Sequence, residues 1–417
     1  MNDNPVTGRL LLLVPTTSYR IGDFLAAAER LHVDVAVGSS QRQVLEQYSQ
    51  GRTVTLNFRD LTQGVAQIKA YNADYPLSAV VGVDDETTLI AATASQALGL
   101  PHNDPASVKV SLNKYSFRTR LANSGLLAPR FSLFGVDDDP HPIAKDSFFP
   151  VVLKPLALSA SRGVIRADNP NQFVSAFKRI GRILEQGDSD GEAARHILVE
   201  EYVPGDEVAL EGLLNDGQLT VLALFDKPDP MEGPYFEETI YVTPSRLSGD
   251  VQEAISATAT HALATMGLRE GPVHMEMRIN DQGVWLIEVA ARSIGGFCSR
   301  ALNFGTAGRL EDLILRHAMG LGVPGAAPGR PASGVMMIPI PAAGVLRRVD
   351  GMEAARALPG IDDVTISIPL GDVLIPAPEG NRYLGFIFAC GDTPQEVETA
   401  LRLAHGKLQL TIDGEAC

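Results

Sequence analysis

The chain has 417 residues, enough for two or three domains with sizeable cores. Its 35 basic and 50 acidic side chains give a net charge of −15, which argues against a nucleic-acid partner or an anionic membrane surface. No apolar run approaches the ~20 residues of a membrane span, and the N-terminus lacks the basic region of a signal peptide. Cys298, Cys390 and Cys417 are scattered, which predicts neither a disulfide framework nor a zinc site and fits a reducing cytoplasm.

The N-terminal region alternates strand and helix signals. An apolar run at 10–15 predicts a strand buried on both faces, and a helix at 21–31, strands at 33–38 and 78–83 and a helix at 88–98 follow. This pattern predicts a small doubly wound α/β domain over about residues 8–105. Thr16, Thr17 and Ser18 follow the first strand, where they would either meet a ligand or cap the next helix.

Two lysines lie where an anion would suit them. Lys114 is in the first turn of a helix predicted from residue 111 to about 125, an unfavourable place for a cation unless an anion is nearby. Lys154 is inside an apolar strand at 149–155, and a loop of small residues follows at 156–164. Such a loop can offer backbone N–H groups to phosphate oxygens. An ordinary turn, with Lys154 reaching solvent, explains the pattern equally well.

Further along, two stretches could contact a nucleotide or a substrate. A strand at 196–203 ends at Pro204-Gly205, and its exposed backbone at 201–203 could pair with an adenine edge, with Glu207 near the ribose. Residues 225–239 are rich in proline and predict a long irregular loop, a type that is often functional. Its candidates for substrate contact are Lys227, Tyr235, Glu237 and Glu238.

Residues 273–296 read as a β-hairpin with polar side chains on one face. Asn280-Asp-Gln-Gly283 has turn chemistry, and closure by a three-residue loop ending in glycine places Glu276 directly opposite Glu288. The same alternation puts Leu286 and Arg292 on the face of Glu288. Facing carboxylates repel unless a cation is supplied, and oxygen ligands suit magnesium bound with phosphates. A solvated hairpin face with incidental charges remains the alternative.

Together, the ordered segments resemble the ATP-grasp superfamily of carboxylate–amine ligases, and they look most like L-amino-acid (dipeptide) ligases. The motifs in order are Lys114, Lys154 with its loop, Glu200-Glu-Tyr-Val-Pro-Gly-Asp-Glu207, and Glu276 followed by Glu288-Val-Ala-Ala-Arg292 and Gly295-Gly296. The resemblance implies an N-terminal pre-ATP-grasp α/β domain (1–110), a central ATP-grasp domain (111–321, with a mobile lid at about 130–200) and a small C-terminal α+β domain (332–417).

The resemblance also implies a role for each residue. Phosphate binding would fall to Lys114, Lys154 and the loop residues Ser159, Ser161 and Gly163. The nucleotide would also meet Glu200, Glu201, Tyr202, Val203 and Glu207. Glu276 and Glu288 would hold Mg²⁺ or Mn²⁺. Substrate would meet Arg292, Gly295, Gly296, Lys227, Tyr235 and Glu237, and Arg292, Lys154, Glu276 and Glu288 would form the catalytic set.

The implied reaction is phosphorylation of a carboxylate, expected to be an amino acid, by ATP, followed by attack of an amine and release of ADP and phosphate. Ala290 stands where many relatives have an asparagine that ligates metal, which argues against the biotin carboxylase branch. A biotin-carboxylase-like or bicarbonate-activating enzyme is the alternative, and a regulatory protein that binds ATP without turnover is a third reading. The sequence does not fix the oligomeric state, although a homodimer is usual among similar proteins.

Overall fold

The structure is a computed structural model, and it describes residues 8–15, 18–42, 49–187, 191–325 and 327–414. Thr16, Thr17 and Cys417, which the sequence singles out, lie outside these ranges. No helix in the described part combines the length and the apolar character needed to cross a bilayer.

The N-terminal region is the predicted doubly wound α/β fold. Its parallel sheet has the order β3-β2-β1-β4, with helices between the strands. The leucines of β1 alternate between two apolar clusters, because the strand is covered on both faces. The elements are β1 (Arg9–Leu13), α1 (Ile21–Leu31), β2 (Asp34–Ser39), β3 (Thr53–Thr55), α2 (Leu61–Asp74), β4 (Leu77–Gly82) and α3 (Asp85–Leu98).

Two short helices replace the single helix predicted from Ser111. Helix α4 (Pro105–Ser111) ends at that residue, and α5 (Lys114–Leu121) begins three residues later. Asn113 separates them, because its side chain accepts a hydrogen bond from the Ser116 N–H and caps the new helix. The start of the predicted helix is therefore wrong, but Lys114 does lie in a first turn.

A second, antiparallel sheet has the order β5-β8-β6-β7 and forms a separate layer, here called the lid (residues 131–201). Two helices cover it, and its main cluster of buried apolar side chains consists of lid residues. The lid contains β5 (Phe131–Gly135), α6 (Pro140–Asp146), β6 (Val151–Pro155), β7 (Ile165–Ala167), α7 (Pro170–Glu185) and β8 (His196–Glu201).

The largest sheet has eight strands in the order β13-β12-β9-β10-β11-β14-β18-β16, and apolar clusters cover both of its faces. Strand β10 runs on to Lys227, so residues 225–227 are sheet and not loop as predicted. The central elements are β9 (Asp206–Asn215), β10 (Gln218–Lys227), β11 (Ile240–Thr243), α8 (Gly249–Met266), β12 (Gly271–Asn280), β13 (Gly283–Ala290) and α9 (Leu310–Ala318). Two short 3₁₀ helices precede α9, at Cys298–Ala301 and Gly305–Ala307.

The C-terminal region is mixed α and β, as predicted, but it continues the central sheet. Strand β14 pairs antiparallel with β11, so one sheet contains strands from both the central (111–321) and the C-terminal (332–417) predicted domains, and the limits of the three domains remain predictions. A small sheet of order β17-β15-β19 packs beside it. The elements are β14 (Ala332–Ile338), β15 (Gly344–Asp350), α10 (Met352–Arg356), β16 (Ile361–Ile366), β17 (Val373–Leu374), β18 (Gly385–Gly391), α11 (Pro394–His405) and β19 (Gln409–Asp413).

Candidate functional site

The predicted hairpin places two carboxylates opposite each other. Strands β12 and β13 pair Glu276 with Glu288, which confirms that register. The turn that leads to this register differs from the prediction. Asn280 pairs with Gly283, so the turn has two residues and not three. A bulge later in β13 adds the one residue that brings Glu288 opposite Glu276. The bulge reverses the alternation, so Leu286 packs in the apolar cluster under the sheet and not on the face of Glu288 as predicted.

A cavity of about 460 Å³ lies between the lid, the hairpin and the N-terminal region. Most of the predicted site residues line it, although they come from separate parts of the chain. The predicted residues in its wall are Ser18, Lys114, Lys154, Ser159, Ser161, Glu200, Glu201, Tyr202, Val203, Glu207, Glu238, Glu276, Glu288, Arg292, Gly295 and Gly296. The roles assigned to them remain predictions.

Four predicted residues lie outside this wall. Lys227 is buried among carboxylates, Tyr235 turns its hydroxyl to Arg179 on the lid, and burial of Glu237 raises the pKa of its carboxyl without bringing it to the cavity. Gly163 gives its N–H to the Pro378 carbonyl at 2.8 Å. Direct contact of these four residues with a ligand remains a prediction.

The two predicted phosphate lysines differ in their partners. Lys114 Nζ lies 3.1 Å from a Glu288 carboxylate oxygen and donates to the Leu158 carbonyl at 3.0 Å. Lys154 is buried, and its Nζ lies 2.7 Å from Glu200. The alternative in which Lys154 simply reaches solvent is therefore wrong. Both ammonium groups nevertheless line the cavity, where they are available to an anion.

Glu200 joins the lid to the base of the site. Besides Lys154, its carboxylate accepts from Arg118 Nε at 2.7 Å, and Arg118 also donates to the Ile287 carbonyl at 2.8 Å. Burial raises the pKa of Glu200, but the two cations outweigh this and bring it down to about 2. Glu200 is therefore ionised, and its carboxylate orients the Lys154 ammonium group. Direct contact with the nucleotide would then not be its only role.

A buried lysine lies behind the hairpin carboxylates. Lys227 Nζ is 2.8 Å from Glu207, 2.7 Å from Glu238 and 3.3 Å from Glu276. Burial lowers the pKa of Lys227, but these carboxylates outweigh it and raise the pKa well above its ordinary value. Burial raises the pKa of Glu276, Lys227 opposes that rise and Glu238 adds to it. The charge of Lys227 thus holds several carboxylates together.

His274 and Glu211 form a second buried support for the hairpin. His274 Nδ1 lies 3.1 Å from Glu211, and its Nε2 lies 3.6 Å from Glu276. Burial lowers the pKa of His274, but hydrogen bonds with Glu211 and Glu276 raise it to about 9. Glu211 also accepts from the Ile294 N–H at 3.1 Å, so it connects the hairpin to the loop that carries Arg292.

Arg292 reaches the cavity wall from the end of the hairpin. Its Nε and Nη2 atoms bind both oxygens of Asp85 at 2.8 and 2.7 Å, a bidentate pair with the N-terminal region. Burial raises the pKa of Asp85, but Arg292 lowers it below the ordinary value. Asp85 therefore fixes the plane of the guanidinium at the edge of the cavity.

The stretch predicted to meet adenine has its side chains directed elsewhere. Glu201 binds Arg130 at 2.6 Å, and both Glu207 oxygens are taken, by Lys227 and by Arg278, each at 2.8 Å. Among the residues that the structure describes, no backbone carbonyl accepts from the Val203 N–H. Recognition of a base by backbone groups here is thus compatible with the geometry, whereas a ribose contact by Glu207 would have to share its oxygens with two cations.

The small-residue loop beside Lys154 adopts a left-handed turn. Ala160 and Ser161 both have a φ of 53°, and Gly163 has a φ of 72°. Such values cost energy for residues with a side chain, so the surrounding contacts must hold the loop in place. Ser159 and Ser161 face the cavity, where their hydroxyls and backbone could meet phosphate oxygens.

The hairpin carboxylates fit the chemistry of a magnesium site. Glu276 and Glu288 supply oxygen donors at the cavity wall, and Glu238 lies beside them. No group of three or more potential metal ligands occurs among the described residues, so a cation would need phosphate oxygens or water to complete its shell. That requirement matches a metal that enters with a nucleotide.

Sequence reasoning missed several residues of the site. Arg118, Asp85, Glu211, His274 and Tyr383 act through partners that are distant in the chain. Asp85 followed a predicted strand, which is a recognisable signal for a site residue in a doubly wound sheet. Arg118 lies on a helix, Glu211 and His274 lie within strands, Tyr383 lies in an irregular segment before β18, and no local pattern marks them.

The chain matches three family models in the order that the fold suggests. Residues 25–102 match the ATP-grasp N-terminal domain, residues 147–301 the ATP-grasp domain, and residues 336–413 the L-amino acid ligase C-terminal domain 2.

Characterised relatives are distant in sequence. Dapdiamide A synthase from Enterobacter agglomerans is 26% identical over 53% of this chain and 52% of its own length, so the chain spans about half of that relative. D-alanine–D-alanine ligase from Cupriavidus taiwanensis is 24% identical over 56% of this chain and 75% of its own length.

Among solved structures, L-amino acid ligase from Bacillus licheniformis superposes with a TM-score of 0.79 at 23% identity, over 98% of this chain and 99% of that one. At this identity the likeness supports the fold. The three family matches show that the chain carries an ATP-grasp N-terminal domain, an ATP-grasp domain and a C-terminal domain of the L-amino acid ligase type.

Proposed function

We propose that this chain is an ATP-dependent ligase, which phosphorylates the carboxylate of an amino acid and joins it to an amine. The observation that carries the proposal is the convergence of two lysines, two facing carboxylates and Arg292 on one cavity beneath the lid. Lysines suit phosphate oxygens, paired carboxylates suit a cation, and an arginine suits a carboxylate or oxyanion.

In this reaction, Lys114, Lys154 and the loop at 159–161 would bind the phosphates of ATP. Glu276 and Glu288 would hold magnesium, which neutralises charge on the β- and γ-phosphates when bound. A carboxylate oxygen of the first substrate attacks the γ-phosphorus, the bond to ADP breaks, and an acyl phosphate forms. The amine then attacks the carbonyl carbon, loses a proton and expels phosphate, while Arg292 stabilises the oxyanion.

Water must be kept out between the two steps, because it would hydrolyse the acyl phosphate. The lid covers the cavity with Val152, Val164 and the loop at 159–161, which makes it the element that would close.

The names of the relatives support amide bond formation, since two of them are a D-alanine–D-alanine ligase and an L-amino acid ligase. Ala290, in place of a metal-ligating asparagine, speaks against the biotin-carboxylase-like alternative. Our proposal includes magnesium or manganese as the metal, a cytoplasmic location and small-molecule substrates without nucleic-acid or membrane partners, and a homodimer is the assembly we would expect.

The proposal predicts equal amounts of ADP and phosphate, formed only when a carboxylate and an amine are both present. The purified protein should be assayed against a panel of amino acids, with bicarbonate and biotin as the arm for the alternative. Oxygen-18 placed in the substrate carboxylate should appear in the released phosphate, because that oxygen attacks phosphorus. AMP as the main nucleotide product, with the label in AMP, would overturn the mechanism.

A further inference from the structure

A segment of the C-terminal region runs between the lid and the cavity. Residues 376–383, here called the strap, are irregular and connect β17 to β18. The strap touches the lid at one end, and its residues Asn381 and Tyr383 line the cavity at the other.

At its lid end, the backbone carbonyls of the strap bind the small-residue loop at 156–164. The Pro378 carbonyl accepts from the Gly163 N–H at 2.8 Å, and the Glu379 carbonyl accepts from Arg162 Nε at 2.9 Å. On its other side, the same loop is tied to Lys114, which donates to the Leu158 carbonyl. The loop with left-handed residues is therefore fixed from two directions, by α5 and by the strap.

The Glu379 side chain adds an ion pair with a lid helix. Arg179 on α7 binds both Glu379 oxygens, at 2.5 and 2.8 Å. The hydrogen bond from Arg179 lowers the pKa of Glu379, and the charge of Arg182 acts in the same direction. About a third of each side chain is exposed, at 34% for Arg179 and 37% for Glu379, so solvent screens the pair. A pair of this kind biases the position of a domain without locking it.

At its cavity end, the strap is anchored by a tyrosine. The Tyr383 hydroxyl donates to Glu238 at 3.1 Å, and Glu238 belongs to the carboxylate group around Lys227. Burial raises the pKa of Tyr383 well above its ordinary value, so the hydroxyl stays protonated and keeps donating. The strap thus links the wall of the cavity directly to the lid.

Building on the proposed function, we propose that Glu379 is a positioning residue that holds the lid closed over the cavity through Arg179. In the closed position, the loop at 159–163 lies against the phosphate-binding end, and water is excluded while the acyl phosphate awaits the amine. Loss of the pair should therefore increase ATP use without product, and should affect amine coupling more than the chemistry of phosphorylation.

Hydrogen exchange of the lid tests the closure without requiring any catalysis. In the presence of magnesium and a non-hydrolysable ATP analogue, Glu379→Gln should exchange amides at 156–185 about two- to fivefold faster than the parent, the range expected for an exposed ion pair. The double variant Glu379→Arg with Arg179→Glu should restore the parent rate. Tyr383→Phe, which removes the hydrogen bond to Glu238 at the cavity end of the strap, should accelerate the same segment through the strap.

The matched control is Glu353→Gln, which removes another carboxylate of the C-terminal region that pairs with nearby Arg356. It should leave exchange in the lid unchanged. In turnover assays, Glu379→Gln should raise the ratio of ADP to coupled product and the KM for ATP by about two- to fivefold. The kcat for ADP formation should stay close to that of the parent.

The outcomes separate this inference from the proposed function. If Glu379→Gln and Glu353→Gln exchange their lid amides alike, the closure role of Glu379 is overturned, whatever the protein catalyses. Faster lid exchange with an unchanged ratio of ADP to product would overturn the positioning role as well. Faster lid exchange in a protein without any ligase activity would support closure by the strap and would instead contradict the proposed function.

Discussion

The lid and the central sheet are both β-sheets covered by helices, but they bury their apolar side chains differently. In the lid, the main cluster is formed by lid residues alone, among them Leu153, Phe173 and Phe177. In the central sheet, one face packs on α8 and the other shares a cluster with the N-terminal region, so that Phe225 and Leu10 belong to the same core.

The lid therefore meets the rest of the chain mainly through polar contacts. Lys114, the strap and the backbone of Glu232 and Pro234 hydrogen-bond to it, and one small apolar cluster joins Val152 and Val164 to Phe236. Moving such a unit costs few buried contacts, whereas moving a central strand would open a core. We therefore expect the lysine-bearing lid to open while the carboxylate-bearing hairpin stays fixed.

The largest effect should come from the fixed side. Glu288→Gln should abolish turnover, at least by about 100-fold, because even residues that only orient metal ligands are worth 10- to 100-fold. The fold should survive, since Glu288 lies at the cavity wall and its partner Lys114 keeps the Leu158 carbonyl. Steady-state ADP release and magnesium-dependent nucleotide binding measure the loss.

Asp281→Asn, in the exposed turn of the same hairpin, is the matched control and should behave like the parent. A Glu288→Gln variant with turnover within twofold of the parent would contradict the metal assignment and, with it, the idea that the hairpin is the fixed half of the site.

The hairpin also marks what the sequence could and could not predict. Alternation and turn chemistry are local, so they place Glu276 opposite Glu288 correctly. The bulge that follows depends on how Leu286 packs under the sheet, which no local pattern encodes. The doubly wound N-terminal fold was predictable for the same reason as the hairpin, because the periods of strands and helices can be recognised within short stretches of sequence.

Contacts between distant segments could not be predicted from the sequence. Glu200 was predicted to meet the nucleotide, yet its carboxylate is used by Arg118, which lies 82 positions earlier. Lys227 and Tyr235 carry suitable side chains for a substrate, but three carboxylates surround the first and the lid helix takes the second. Such partners become visible only when the sheets are assembled.

The next prediction concerns the free energy of unfolding, at the point where Glu200 of the lid binds Arg118 of α5. Glu200→Gln leaves Arg118 and Lys154 as buried cations without their carboxylate, and breaking a buried pair in this way costs about 3–5 kcal/mol. Because the folded pKa of Glu200 is about 2, below the ordinary 4.5, the stabilisation is fully present above pH 4.5 and is lost as the pH falls towards 2. Urea unfolding at pH 7 and pH 3 should show the difference between parent and variant shrinking at the lower pH.

Lys154→Met is the matched comparison for Glu200→Gln. It should lose much less stability, because Arg118 still neutralises Glu200 at 2.7 Å. It should instead weaken ATP binding, by about tenfold if it loses one charge-assisted hydrogen bond of about 1.5 kcal/mol. Equal losses of stability in the two variants would argue that the Lys154–Glu200 pair within the lid supplies the stability, and not the Arg118–Glu200 pair that binds the lid to its base.

The smallest effect on ATP binding and on stability should follow a change at the C-terminal end of the lid. Glu201 lies at the end of β8, and its carboxylate binds the exposed Arg130, a surface pair worth less than about 1 kcal/mol. If the adenine is recognised by backbone groups at 201–203, Glu201→Gln should leave the KM for ATP within about twofold and the unfolding free energy within about 1 kcal/mol. Competition between ATP and GTP in the ADP-release assay provides the sharper measurement, since backbone recognition keeps its preference for adenine when the side chain changes. A loss of that preference in Glu201→Gln would mean that the carboxylate itself reads the base, and that the polar contacts of the lid do more than hold it in place.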